Sequence, residues 1–288
     1  MTRVIRIATR PSQLAVIQAE LVGKRIRELG YVTEVIKITT EGDEGIYDLS
    51  LKSAFTRRLE LALRDGKADI AVHSLKDLPS NRDVELGIAF PLAGDPADCL
   101  VSLKHVDLFT LESGKRVGTS SLRRKALINL YRPDLEVVDL RGNVDTRLKK
   151  LGSGQFDALV LSCEALRRLG VSGYAVSRLD PNYFPPAPGQ GIIAVEYLDE
   201  DERAKEIVNT ISDRMISIRA LIELAFNEMM QGGCHFPAGI YTIIRSLDEI
   251  LIKGYYSDGR RHAFSTVKTS AKSYREDLEL LTRLLKNE

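Results

Sequence analysis

Along the first ninety residues the apolar positions switch repeatedly between the run or alternation of a strand and the three-to-four spacing of an amphipathic helix. Residues 3–8 read as a buried strand, and 13–29 as a helix with Leu14, Ile17, Leu21 and Val22 on one face. Pro11 suits the first turn of that helix, and Thr9 is placed to cap it. Residues 31–39 form a second strand and 40–51 a polar, acidic loop. A helix over 53–64, closed by Asp65-Gly66, leads to strands at 68–72 and 84–90. After the Pro/Gly-rich break 91–98, strands at 99–103, 117, 135–140 and 158–161 alternate with helices at 122–130, 144–151 and 164–169. A second break, 180–191, is rich in proline and precedes a strand at 192–196. Helices at 202–211 and 215–229 follow, then strands at 239–244, 250–256 and 262–267 and a closing helix at 274–285.

Alternating strands and helices predict an α/β protein. The breaks divide it into domain 1 (1–92 and 190–211), domain 2 (98–184) and a small α+β domain 3 (215–288). A chain that crosses out of one α/β half and later returns describes a hinged pair joined by two crossings, the architecture of periplasmic-binding-protein-like folds.

At 288 residues the chain is long enough for several cores, and 44% hydrophobic with 28% charged residues is ordinary for a globular protein. No apolar run reaches membrane-spanning length. The first residues lack the pattern of a secretory signal, so the expected compartment is the cytoplasm. A formal net charge of +1 gives no bulk drive toward nucleic acid. Cys99, Cys163 and Cys234 are far apart and odd in number; the expectation is no disulfide and no metal, with Cys99 and Cys163 as small core residues.

Against this background the arginines stand out. Val117-Gly118-Thr119-Ser120-Ser121-Leu122-Arg123-Arg124 runs from a strand through a hydroxyl-rich turn to two cations at a helix start, the positive end of the dipole. An anion held there by backbone N–H groups, the hydroxyls of Thr119, Ser120 and Ser121 and two guanidinium forks would reverse the penalty. Two solvated arginines on a surface helix are the other reading. Arg10 repeats the pattern, and Arg141-Gly142-Asn143 again leads a strand into a helix, on which Arg147 flanks the buried stripe. Arg167 and Arg168 fit a solvated helix end capped by Gly170. Asp77, in His73-Ser74-Leu75-Lys76-Asp77-Leu78-Pro79 after the third strand, is the carboxylate best placed for proton transfer; an exposed turn is its alternative. His73 fits a hydrogen-bonded structural role. Cys234, after two glycines and before Pro237, sits outside any apolar periodicity in a loop where a thiol is accessible, although a loop cysteine with no matched base can equally be incidental.

Together with Ile7-Ala8-Thr9-Arg10-Pro11-Ser12-Gln13-Leu14-Ala15, Leu140-Arg141-Gly142-Asn143-Val144-Asp145-Thr146-Arg147-Leu148, Pro188-Gly189-Gln190-Gly191 and Gly232-Gly233-Cys234, these stretches resemble the porphobilinogen deaminase (hydroxymethylbilane synthase) family over essentially the whole chain. The resemblance implies a transferase of haem biosynthesis that joins four porphobilinogens, with loss of ammonia, into hydroxymethylbilane on a covalent dipyrromethane cofactor. It implies a thioether from Cys234 to that cofactor, with Asp43, Lys76, Thr119, Ser121, Arg123 and Arg124 holding it. Asp77 would be catalytic and no metal would be needed. Arg10, Ser12, Gln18, Arg141, Arg147, Arg168 and Gln190 would bind substrate, whose acetate and propionate groups suit arginines. The family expectation is a monomer acting on a small molecule, without nucleic acid or membrane. The chain departs from many relatives in a shorter, acidic stretch at 43–53 that keeps only Lys52, in Gln231 before the two glycines, and in Glu41. The competing readings are a non-catalytic two-lobed anion-binding or sensor module, and a nucleic-acid binder, which lacks interleaved aromatics in 116–124 and 141–150.

Overall fold

The computed structural model describes residues 4–41, 43, 56–79, 84–104, 107–230 and 237–287. Cys234, Gln231 and residues 44–53 of the acidic stretch lie outside the described residues. The chain divides into two compact units, Met1–Gly94 with Ile192–Leu221, and Asp95–Gly191 with Ile222–Glu288.

In the first unit β1 (Ile5–Thr9), β2 (Thr33–Lys37), β3 (Ile70–Ser74), β4 (Leu86–Ala93) and the returning β10 (Ile192–Leu198) make one sheet in the order β2-β1-β3-β10-β4. The first three are parallel, and β10 runs antiparallel to both its neighbours. Helices α1 (Gln13–Glu28), α2 (Arg57–Arg64) and α6 (Glu202–Ile211) accompany it. Ile7, Val22, Ile26, Ile70, Val195 and Ile207 share one core, and Ala8, Leu59, Leu63 and Ala71 another. The sheet is therefore covered on both faces, as parallel sheets require. β4 runs through Pro91 to Ala93, into the predicted break 91–98; at the edge of a sheet a proline removes no ladder bond that the sheet needs.

The second unit repeats the design. β5 (Asp98–Ser102), β6 (Arg116–Gly118), β7 (Glu136–Val138), β8 (Ala158–Ser162) and β9 (Ala175–Arg178) take the order β7-β6-β8-β5-β9, again three parallel strands followed by an antiparallel one. Its helices are α3 (Leu122–Tyr131), α4 (Val144–Gly152) and α5 (Cys163–Arg168). After α7 (Arg214–Met229), the antiparallel sheet β11 (Ala238–Ile244), β12 (Ile250–Ser257) and β13 (His262–Thr269) carries α8 (Tyr274–Lys286). Fully buried Tyr255 from β12 joins Leu100, Leu127, Val160 and Phe184 in one core, which is why this sheet belongs to the second unit.

The expectation of no disulfide is overturned. Cys99 on β5 and Cys163 at the start of α5 are joined, with Cα atoms 5.2 Å apart, a separation that suits the bond. β5 lies antiparallel to β8 with Asp98 opposite Ser162, so Cys163, the first residue beyond β8, continues opposite Ala97, two residues before Cys99.

Candidate functional site

In the first unit, β1 ends at Thr9 and the chain turns through Arg10-Pro11-Ser12 into α1. The cap is Ser12 rather than Thr9: the Ser12 hydroxyl accepts from the Ala15 N–H, while Thr9 Oγ1 donates to the Ala15 carbonyl at 3.1 Å. Arg10, the cation at this helix start, is ion-paired with Asp43, which also accepts from the Thr40 N–H at 3.1 Å and hydroxyl at 2.7 Å. Burial alone would raise the Asp43 carboxyl, but Arg10 and Thr40 hold it below its ordinary value. One turn into α1, buried Gln18 exchanges hydrogen bonds with Ser74 at the end of β3, at 2.8 and 3.1 Å. After β3 the chain makes a single tight turn, Leu75–Asp77, which leaves Lys76 and Asp77 half-buried. Arg10, Ser12, Gln18, His73, Ser74 and Asp77 line one concavity of this unit. His73 is buried, its Nε2 3.1 Å from Oε2 of the equally buried Glu196 on β10.

In the second unit the arginines at the start of α3 do not gather with the hydroxyls around a common anion, nor are they solvated. Both are buried and turned onto the fully buried Asp98, the first residue of β5. Arg123 Nη2 donates to Oδ2 at 2.8 Å; Arg124 Nε and Nη2 donate to Oδ1 at 3.1 and 2.6 Å. Arg123 Nη1 also reaches the Pro185 carbonyl at 2.6 Å, and Arg124 Nη1 that of Val160 at 2.9 Å. The anion that the sequence calls for at this helix start is supplied internally. The Ser121 hydroxyl serves as the cap of α3, accepting from the Arg124 N–H at 3.4 Å, and buried Thr119 Oγ1 accepts from the Ser121 N–H at 3.2 Å. Buried Gln190 completes the cluster, donating to Asp98 Oδ1 at 2.9 Å and to the Pro96 carbonyl at 2.6 Å. Desolvation would raise the Asp98 carboxyl, but the two guanidiniums and Gln190 hold it far below the usual carboxylate range, while burial lowers Arg123.

A second buried carboxylate, Glu164, pairs with Arg167 at 2.6 Å and Arg168 at 2.9 Å. Burial would raise it, yet these arginines keep it below its ordinary value. Arg168, expected on a solvated helix end, is buried and donates to the Gly191 carbonyl at 2.8 Å; only Arg167 faces water. Gly170 sits just past α5 with φ +62°, the left-handed conformation that glycine supplies without strain. Arg141 is exposed and Arg147 half-buried, with Arg147 Nε donating to the Gly142 carbonyl at 2.7 Å.

Sequence reasoning missed Asp98, Glu164, Glu196 and Ser74. Glu164 had a signal, since it stands three and four residues before Arg167 and Arg168 on a helix. Asp98 had a weaker one, a carboxylate opening an apolar strand.

Two guanidiniums against one carboxylate leave the Asp98 cluster with one positive charge in excess. Arg123 Nε–H, although buried, has no hydrogen-bond acceptor among the described residues. An additional carboxylate suits both features. Gly239 on β11 lies against the same place: a Cβ there would fall 2.7 Å from the Pro185 carbonyl oxygen and 3.1 Å from Arg123 Cδ. The strand-to-helix turns of this mixed α/β chain thus carry arginines held by internal carboxylates, Arg10 by Asp43 and Arg123 and Arg124 by Asp98.

A family model described as porphobilinogen deaminase, dipyromethane cofactor binding domain matches residues 5–206. Porphobilinogen deaminase of Xylella fastidiosa is 46% identical over 83% of this chain and 80% of its own. That of Xanthomonas axonopodis pv. citri is 41% identical over 97% and 93%. That of Fusobacterium nucleatum subsp. nucleatum is 38% identical over 100% and 99%. Among solved structures, the Bordetella pertussis BvgS periplasmic VFT2 domain is 19% identical, over 77% of this chain and 90% of its own, with a TM-score of 0.45.

The chain belongs to the porphobilinogen deaminase family. It is a transferase of tetrapyrrole biosynthesis that converts porphobilinogen to hydroxymethylbilane with dipyrromethane as cofactor, and the non-catalytic alternative falls.

Proposed function

We propose that this chain holds its dipyrromethane through a thioether to Cys234 and distributes the remaining work between two sets of residues. When bound, the dipyrromethane supplies the nucleophilic α-carbon at which the first porphobilinogen is joined. In the second unit Arg123 and Arg124, with Thr119 and Ser121 fixing their helix start, bind the cofactor's carboxylates. Arg141, Arg147, Arg168 and Gln190 bind or position those of the substrate. In the first unit Asp43 and Lys76 belong to the cofactor, Arg10, Ser12 and Gln18 to the substrate. Asp77 holds a proton at the pyrrole nitrogen and stabilises the positive charge that develops there.

The observation that carries this reading is the Asp98 cluster, with its excess positive charge and the unaccepted Arg123 N–H. Gly239, five positions after Cys234 in the sequence, lies against Arg123. We read the protein as a cytoplasmic monomer without nucleic acid or membrane; the basic stretches 116–124 and 141–150 hold no aromatic residue on which bases could stack, and no helix among the described residues is long and apolar enough to cross a bilayer.

The test is the intact mass of the denatured wild type beside Cys234→Ala. The expected result is an excess of one dipyrromethane, absent from the variant. A bare mass that persists after incubation with porphobilinogen overturns the anchor. Light scattering on the same preparation checks the monomer.

A further inference from the structure

Asp98 and Glu164 hold four arginines between them, and each stands next to a disulfide cysteine: Cys99 follows Asp98, and Cys163 precedes Glu164. We propose that Cys99 and Cys163 are a thiol–disulfide modification site, whose oxidation by a low-molecular-weight disulfide clamps these two carboxylates and the arginines they hold.

The geometry is specific. The Cys163 N–H donates to the Ala97 carbonyl at 3.0 Å, and the sulfur of Cys163 is bonded to that of Cys99. The three residues 97–99 are thus tied to Cys163 at both ends, with Asp98 between the ties. From Cys163 the connection continues through Glu164 to Arg168, from Arg168 to the Gly191 carbonyl, and from the neighbouring Gln190 back to Asp98 Oδ1. The result is a closed circuit of covalent and hydrogen-bonded links around both ion clusters. Its disulfide is the one covalent link that can be made and unmade. Opened there, the circuit leaves the 97–99 segment attached to Cys163 by a single backbone hydrogen bond. Asp98 and Glu164 then remain coupled by the β5–β8 ladder and by the Arg168–Gly191 and Gln190–Asp98 hydrogen bonds, without the covalent tie between their neighbours.

The chemistry is thiol–disulfide exchange. Cys163 is half-buried and Cys99 only 2% exposed, so exchange begins at Cys163. Its thiolate attacks the external disulfide and releases one thiol; the Cys99 thiolate then attacks the Cys163 sulfur and releases the second. One S–S bond breaks and one forms, two electrons pass to the reagent, and the two protein protons end on the released thiols. In a thiol-rich compartment such a bond is transient, as suits a sensor rather than a permanent brace.

The consequence for substrate rests on the arginine roles proposed above; the redox site itself does not. The experiment equilibrates the full-length protein in glutathione buffers from fully reduced to fully oxidised and traps thiols with N-ethylmaleimide. It reads alkylations by intact mass, amide exchange by peptide, and KM for porphobilinogen. The alkylation count is taken as the difference from Cys99→Ala/Cys163→Ala in the same buffer, so Cys234 drops out whether or not it carries the thioether. The expected alkylation count falls by two on oxidation, and exchange over 97–99 and 163–168 slows by about fivefold or more. KM changes in the wild type and stays constant in Cys99→Ala/Cys163→Ala, or in Cys163→Ser should the double variant not fold. The proposal is overturned by an alkylation count that never changes, or by a change that leaves exchange at both segments untouched. Slowed exchange with a constant KM supports the redox clamp and counts instead against these arginines as substrate ligands.

Discussion

Replacing Asp98 by asparagine tests the most heavily loaded residue in the second unit. Asp98 is fully buried and accepts four hydrogen bonds, three from Arg123 and Arg124 and one from Gln190. Asparagine keeps the shape, but its single carbonyl oxygen cannot replace two carboxylate oxygens, and its amide N–H groups would face a guanidinium. The substitution leaves two buried cations without a counter-ion, a loss of about 3–5 kcal/mol. That is a large share of the roughly 5–15 kcal/mol by which a domain is stable. Urea unfolding followed by circular dichroism measures it, since the chain has no tryptophan; amide exchange over 95–191 assigns the loss to the second unit. The pH dependence supplies a second readout. The folded-state pKa of Asp98 lies far below its unfolded value, so its contribution is complete above about pH 4 and disappears as pH falls from there toward the folded value. The wild type should lose stability over that acid range more steeply than Asp98→Asn. Adding Arg123→Met to the variant should restore part of the loss, because one stranded charge goes with it. A loss below about 1 kcal/mol, or acid curves of equal steepness, would refute the account of Asp98 as the counter-ion.

Two further predictions are local. In the first unit the Asp43 carboxyl should titrate below its ordinary range by NMR and move upward in Arg10→Met, because Arg10 and Thr40 hold it down; an unmoved titration would show that Arg10 does not set it. Gly239→Ala should destabilise by about 1–3 kcal/mol through overpacking against the Pro185 carbonyl and Arg123, measured by urea unfolding, and a neutral result would show that this approach relaxes without cost.

Much of the α/β alternation was legible because strand and helix periods are local. The runs around β3 and β8 and the stripe of α1 depend on neighbours within a few residues. Where the expectation slipped, tertiary context decided. The four residues of β9 are alternately half-buried and exposed, with little apolar signal, and become a strand by pairing with β5. Pro91 reads as a break but is tolerated because β4 is an edge strand. The candidate site was legible as an excess of arginine at helix starts. Its partners were not: Asp98 lies 25 and 26 residues before the arginines it holds, and Cys99 lies 64 residues from Cys163. No local spacing rule reaches across such distances.

The pairing of Arg123 and Arg124 also explains why adjacent arginines can share a task. Successive side chains on a helix point about 100° apart, so two neighbours in a helix interior face different surroundings. At the first turn of α3 the backbone has only just left the extended conformation of Ser121, and Asp98 sits where both side chains can reach it, one on each carboxylate oxygen. Val160 on β8 and Pro185 and Gln190 in the 180–191 connection then accept from further N–H groups of the two guanidiniums. Guanidiniums held in this way have already lost their side-chain freedom on folding, so a ligand carboxylate that approaches Arg123 meets an ordered donor instead of having to order one. The same arrangement gives the buried cations a counter-ion when no ligand is bound. A helix start carrying two arginines is therefore compatible with stability and with anion binding at once, provided that the internal carboxylate satisfies most of their hydrogen-bonding groups while leaving a charge and a donor over.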